Sequence, residues 1–288
     1  MKDWVVNLTV VLADGTVIQT RRRPRKSSAG YNLNGLFIGS EGTLGLVTEI
    51  TLKLAVIPHE TSVAVVTFPS LRDAAAAASQ VMRAGIPVAA MEIMDEVQMY
   101  VVNKSGSTAR KWKEVPTLFF KFSGTKAGVQ ENIGLVKAIA RAHKAGEFEF
   151  ARDAHEQQRL WSARKEALWS MLALRGKGAE VWSTDVAVPL SRLADIIGIN
   201  SLFRRRDLIL TPHIQEISKK EMDELGLFAS VLGHIGDGNF HESIMYDKTN
   251  PKERKAVEKC VHDMVDRALE MDGTCTASST TSIRFNRV

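Results

Sequence analysis

The alternation of strand-like and helix-like runs after Pro58 constrains the fold more than any other feature of the sequence. Thr61 to Phe68 reads as a strand, Leu71 to Ala84 as an Ala-rich helix stopped by Gly85, and Met91 to Ile93 as a short strand. Thr117 to Phe122 reads as another strand, followed by a helix from Ala127 to His143 that Gly146 ends and by a strand from Phe148 to Ala151. This is β-α-β twice over. Two such units side by side give an α+β, ferredoxin-like arrangement, an antiparallel sheet with helices on one face.

Upstream, Val5 to Leu12 and Thr16 to Gln19 flank Ala13-Asp14-Gly15, and Asp-Gly supplies the positive-φ positions of a hairpin turn. A boundary near Val56 to Thr61 separates this N-terminal sheet piece from the α+β domain. Arg21 to Ser28, with four arginines, a lysine and a proline, cannot be buried and reads as a solvated or anion-binding loop. Downstream, Glu156 to Leu174 reads as one long helix, Val181 to Val188 as a strand closed by Pro189, and Ser191 to Ile197 as the start of a helix. Phe228 to Ile235 with Phe240 to Tyr246 reads as a hairpin, and Pro251 to Met271 as a helix with Pro in its first turn. Gly198 to Gln215 interrupts what otherwise runs as one helix from Ser191 through Leu225 and looks inserted.

Composition excludes several classes. With 44% hydrophobic and 25% charged residues among 288, the chain is neither disordered nor of low complexity. No run approaches the roughly 20 apolar residues of a membrane-spanning helix. A net charge of +5 is too small and too scattered to argue for nucleic acid, and no reader motif accompanies it. Cys260 and Cys275 form no CxxC and fit a reducing compartment. The first residues run straight into a strand, and no targeting segment is expected there.

Four places carry possible chemistry. In Gly233-His-Ile-Gly-Asp-Gly-Asn-Phe-His241, a four-residue loop over Gly236 to Asn239 sets Ile235 opposite Phe240 and His234 opposite His241. Directly opposed residues share a face, so the two imidazoles become candidate ligands of a divalent metal; the alternative is a histidine pair with no metal. Gly39 to Gly45 has three glycines in seven residues, which lets backbone N–H groups approach a phosphate or a flavin ring, or simply makes a bend. It fails the spacings of nicotinamide-binding, P-loop and nucleophile-elbow motifs. Arg164, on a helix whose other face is apolar, is either a surface charge or a fork for a small carboxylate. Asp185 is a charge inside a strand-like run and demands an edge, a partner or a site.

Taken in order, Phe37 to Thr48, Leu160-Trp-Ser-Ala-Arg164, Ser183 to Pro189 and Gly233 to His241 resemble the flavin-dependent D-lactate dehydrogenases that pass electrons to cytochrome c, FAD-linked oxidases of vanillyl-alcohol-oxidase type. The resemblance runs from the first strand to about Thr276, and similarity over Trp112 to Arg175 points to fungal mitochondrial members. It implies that residues 1–57 are the C-terminal part of an FAD-binding domain and that 58–276 are the substrate, or cap, domain. It places Gly39, Ser40, Glu41, Gly42, Thr43, Gly45 and Val47 at the FAD, His234 and His241 on a divalent metal (zinc or manganese), and Arg164 on the substrate carboxylate. The implied reaction is hydride transfer from C2 of D-lactate, or another small D-2-hydroxy acid, to FAD, with electrons leaving to cytochrome c in the mitochondrion.

The departures are as specific as the matches. Family members begin well upstream, so half of the cofactor cradle is expected to be missing. After Gly273-Thr-Cys-Thr276 the family continues Gly-Glu-His-Gly, whereas this chain reads Ala277-Ser278-Ser279-Thr280. Ser278 then stands where the third metal ligand belongs and Ser279 where the base belongs, so the base is absent. The insert 198–215 and the tail 277–288 read as translated intervening sequence, and the chain as a truncated, weakly active or inactive form. The alternative is a catalytically dead binding module of the same ancestry.

Overall fold

The computed structural model describes residues 2–197 and 228–275. The chain divides into two compact units, Met1–Ile57 and Pro58–Val288. The expected insert at 198–215 and the tail at 277–288 lie outside the described residues.

The N-terminal unit holds a three-stranded sheet in the order β2-β1-β3, with β1 spanning Val5–Val11, β2 Val17–Gln19 and β3 Leu46–Leu52. The Asp14-Gly15 turn forms as read: Asp14 Oδ1 accepts from Thr16 N at 2.9 Å, and Gly15 adopts φ +85°. A short helix, α1 (Leu33–Phe37), closes over Val5, Leu8 and Val10 through Phe37. Sequence periodicity does not announce it. Its anchor is polar: buried Asn34 donates through Nδ2 to the carbonyls of Val5 and Val6 at 3.2 and 3.1 Å.

In the C-terminal unit the two β-α-β runs form as expected: β4 (Glu60–Thr67), α2 (Leu71–Arg83) and β5 (Ala90–Met94), then β6 (Thr117–Gly124), α4 (Lys126–Ala142) and β7 (Glu149–Phe150). Between them lies α3 (Glu96–Ser105), which the sequence reading does not include. The strands pair in the order β7-β4-β6-β5, which is the ferredoxin-like order. Alternation along β4 and β6 explains the layering: Ala64, Val66, Phe120 and Phe122 face the helices α2 and α4, while Val63, Val65 and Phe119 face the other way.

That second face is also covered. Here α5 (Ala154–Lys165) lays Leu160 and Ala163 on Phe119 and Val65, beside Met99 and Val102 of α3. The structure therefore adds a helical layer opposite the two crossover helices. It also splits the expected long helix, because Glu166, at φ −90° and ψ 2°, separates α5 from α6 (Ala167–Ala173).

Beyond β5 the sheet continues through β10 (Phe228–Gly233), β11 (Asn239–Asp247), β9 (Val186–Ala187) and β12 (Thr274–Cys275), with β8 (Ala179–Ser183) also on β11. The single strand expected over Val181 to Val188 is thus β8 and β9, broken at Thr184-Asp185. Two further helices are α7 (Leu193–Ile197) and α8 (Pro251–Glu270). The side chain of Asn250 caps α8 by accepting from Lys252 N at 3.1 Å, with Pro251 at its first position.

Candidate active site

Three neighbouring ladders assemble the site. The β10 and β11 strands pair with Leu232 opposite His241 and Val231 opposite Glu242, so His234 is not opposite His241. The expected register is two residues out, because the connection is a 3-10 turn over Ile235–Asp237 closed by Gly238 at φ +71° rather than an open four-residue loop. A slip of two residues preserves the face, since side chains alternate with period two. The rings still meet: their centroids are 5.5 Å apart and their planes at 88°. Gly233 makes this possible, for a Cβ there would stand 2.6 Å from both the Asn239 carbonyl oxygen and the Phe240 Cα.

The next ladder pairs Leu232 with Met94 and Gly233 with Ile93. One step farther sets His234 against Glu92, whose Oε1 lies 2.8 Å from His234 Nδ1. On the other side, Asn239 pairs with Ala187 and Phe240 with Val186, and one step farther sets His241 against Asp185. Asp185 Oδ1 is 3.5 Å from His241 Nδ1 and accepts from Asn239 Nδ2 at 2.6 Å. A row of Glu92 on β5, His234 just past β10, His241 on β11 and Asp185 just ahead of β9 therefore lies on one face. Asp185 thus sits in the break between β8 and β9, held by these partners.

Arg164 enters this row from above. Leu160 and Ala163 fix its helix against the sheet, and the guanidinium Nε donates to Glu92 Oε2 at 2.9 Å. Its Nη2 lies 3.3 Å from Nε2 and 3.4 Å from Nδ1 of His234. Glu92 is the residue that sequence reasoning missed. It is 6% exposed in an apolar strand, and the rule that singled out Asp185, a charge among strand-forming residues, also finds it.

The two imidazoles are tuned in opposite directions. Hydrogen bonding to Glu92 raises the pKa of His234 above the usual value of about 6.5, against its partial burial and the Arg164 charge. Burial lowers that of His241, against the attraction of Asp185 and the Thr184 carbonyl. In an NMR titration the His234 ring is expected to titrate above about pH 6.5 and the His241 ring below it; midpoints in the reverse order contradict this geometry. The His234 contribution to stability is complete below the unfolded value and is lost as pH rises through the raised folded value. His241 acts with the opposite sign: stability grows as pH rises through its unfolded value.

The expected divalent metal does not fit these residues. Among the described residues no group of three or more His, Cys, Asp or Glu side chains could hold a metal ion. Two imidazoles alone face each other, one is engaged by Glu92, and a guanidinium stands where a cation would be repelled.

The glycine bend belongs to the N-terminal unit. Gly39 and Gly42 have φ +92° and +80°, and a Cβ at either would meet nothing within 4 Å. Glu41 also adopts a positive φ, of 49°, and Thr43 N donates to Ser40 O at 2.9 Å. Gly45 is different: a Cβ would meet Val10 Cγ1 at 2.8 Å and the Val11 carbonyl oxygen at 2.9 Å, so its absence lets the bend close onto β1. Val47 pairs with Val10. Open backbone at Gly39 and Gly42 suits the approach of a planar cofactor.

A family model described as FAD linked oxidases, C-terminal domain, matches residues 57–278. The chain belongs to this family. Among curated members, the mitochondrial D-lactate dehydrogenase (cytochrome) of Kluyveromyces lactis is 48% identical over 281 residues, covering 96% of this chain and 45% of that protein. D-lactate dehydrogenase (cytochrome) 1 of Saccharomyces cerevisiae is 46% identical, with 96% and 44% covered. The chain thus spans less than half the length of these relatives. Among solved structures, p-cresol methylhydroxylase with substrate bound is 18% identical, with a TM-score of 0.66 over 94% of this chain and 56% of that one. This likeness shows a shared α+β fold. No helix among the described residues is long and apolar enough to cross a membrane.

Proposed function

We propose that the chain serves the oxidation of a small D-2-hydroxy acid, D-lactate first, within a mitochondrial FAD-dependent dehydrogenase that passes electrons to cytochrome c. The observation that carries this reading is the Arg164 guanidinium held beside two imidazoles on one sheet face. Names of relatives 48% and 46% identical support the substrate, the acceptor and the compartment. Gly39, Ser40, Glu41, Gly42, Thr43, Gly45 and Val47 would hold FAD, which would supply the hydride acceptor for C2.

The chain's own residues bind and orient. Arg164 Nε is committed to Glu92 and Nη2 lies against His234, while Nη1 makes no hydrogen bond among the described residues and is the part available to a carboxylate. His234, favoured as imidazolium by Glu92, adds a second donor for an anion. His241 is favoured as the neutral ring by burial; its Nδ1–H donates to the Thr184 carbonyl at 3.1 Å, which leaves Nε2 as an acceptor. His234 thus offers a proton to a carboxylate and His241 a lone pair to the hydroxyl of one small substrate.

Turnover by the chain alone is expected to be low, because Ser279 stands where the resemblance puts the family's base. Binding is therefore the decisive measurement. With FAD supplied, titration with D-lactate is expected to give saturable binding that L-lactate does not match. Absence of binding by D-lactate and by other 2-hydroxy acids contradicts the proposal. Binding with no flavin reduction instead favours the second reading, a module that keeps the site without the reaction, to which Ser278 and Ser279 point.

A further inference from the structure

We propose that Glu92 is the positioning residue of this site, acting on Arg164 and His234 together. The assignment deepens the 2-hydroxy-acid reading and rests on it only for the identity of the ligand. Glu92 sits on β5 with an 8% exposed side chain, and its two oxygens are divided between two partners. Oε2 accepts from Arg164 Nε at 2.9 Å, and Oε1 lies 2.8 Å from His234 Nδ1. A carboxylate only accepts hydrogen bonds, so the proton of a neutral His234 ring resides on Nδ1 and the lone pair on Nε2. The same carboxylate holds the guanidinium by its inner nitrogen and leaves Nη1 to a substrate anion. One buried side chain thus sets the direction of both the anion-binding donor and the imidazole beside it, as outer-shell carboxylates do for functional histidines elsewhere.

The ladder explains why only this position serves. Continuing the pairing of Leu232 with Met94 and Gly233 with Ile93 brings residues 92 and 234 face to face, and Leu160 and Ala163 hold α5 on that face. Three chain segments far apart in sequence converge on one carboxylate.

Glu92→Gln separates the roles without changing size. Arg164 Nε can only donate and takes the amide oxygen, which leaves the amide NH2 against His234 Nδ1 and forces the proton to Nε2. In the full chain labelled with 15N-histidine, at a pH where the ring is neutral, the wild-type His234 is expected as the Nδ1–H tautomer and the variant as Nε2–H. His234→Gln assigns the signals. Arg164→Gln, which leaves Glu92 in place, is expected to keep Nδ1–H. D-lactate binding to the Glu92→Gln chain should weaken about ten- to a hundredfold. A wild-type Nε2–H tautomer, a measurement that needs no variant, overturns the assignment, as does an unchanged tautomer in a folded Glu92→Gln chain. Failure of the wild type to bind D-lactate while the tautomer switches as described counts against the substrate reading and leaves Glu92 as the residue that sets the ring.

Discussion

Replacing Gly233 with valine is expected to destabilise the C-terminal unit by about 3 kcal/mol or more and to pull the two imidazoles apart. The added Cβ would stand 2.6 Å from the Phe240 Cα and from the Asn239 carbonyl oxygen, both backbone atoms that cannot rotate away. Relief requires β10 and β11 to separate where Leu232 pairs with His241. Urea unfolding reads the first effect through a lower midpoint at unchanged slope. The second is read from the rings themselves: His234 loses the contact with Glu92 that holds it as imidazolium, so its titration midpoint falls toward about 6.5. A variant as stable as the wild type, with both titrations unmoved, contradicts the close approach described for this turn.

Arg164→Met should weaken D-lactate binding about 10²- to 10³-fold, the loss expected when a charge-assisted pair to a carboxylate is removed from a partly enclosed site. It also leaves Glu92 buried with His234 as its remaining partner, which is expected to cost about 2 to 3 kcal/mol of stability. That cost lies below the range for a lone buried charge because the imidazolium stays. Calorimetric titration with D-lactate and thermal unfolding measure the two effects separately. Arg164→Lys should recover part of the stability and little of the binding, since an ammonium has no fork to divide between Glu92 and a substrate. If methionine at 164 binds D-lactate as tightly as arginine, the carboxylate site lies elsewhere.

The legible parts of the fold were those governed by local rules. The Asp14-Gly15 hairpin, the Pro251 start of α8 and the β-α-β alternation follow from turn chemistry, the fixed φ of proline and hydrophobic period, all properties of a few adjacent residues. The short helix Leu33–Phe37 escaped because its stability comes from Asn34 reaching the carbonyls of Val5 and Val6, a contact 28 and 29 residues away. The break at Glu166 escaped for a related reason: α5 and α6 pack on different neighbours, Leu160 among Phe119 and Val65 and Met171 beside Val101 and Val181.

From the sequence alone came the residue types of the site: two histidines close to one tight reversal, an arginine on a helix with one apolar face and a carboxylate in a strand-like run. Their common face followed as well, because alternation with period two survives a two-residue error in register. The strand partners did not. Which residues stand beside His234 depends on the neighbour of β10, and that neighbour, β5, lies more than 130 residues earlier in the chain. Only the tertiary pairing brings Glu92 to the imidazole and to Arg164, because hydrogen bonds across a sheet join strands by proximity in space and carry no mark in either segment's local pattern.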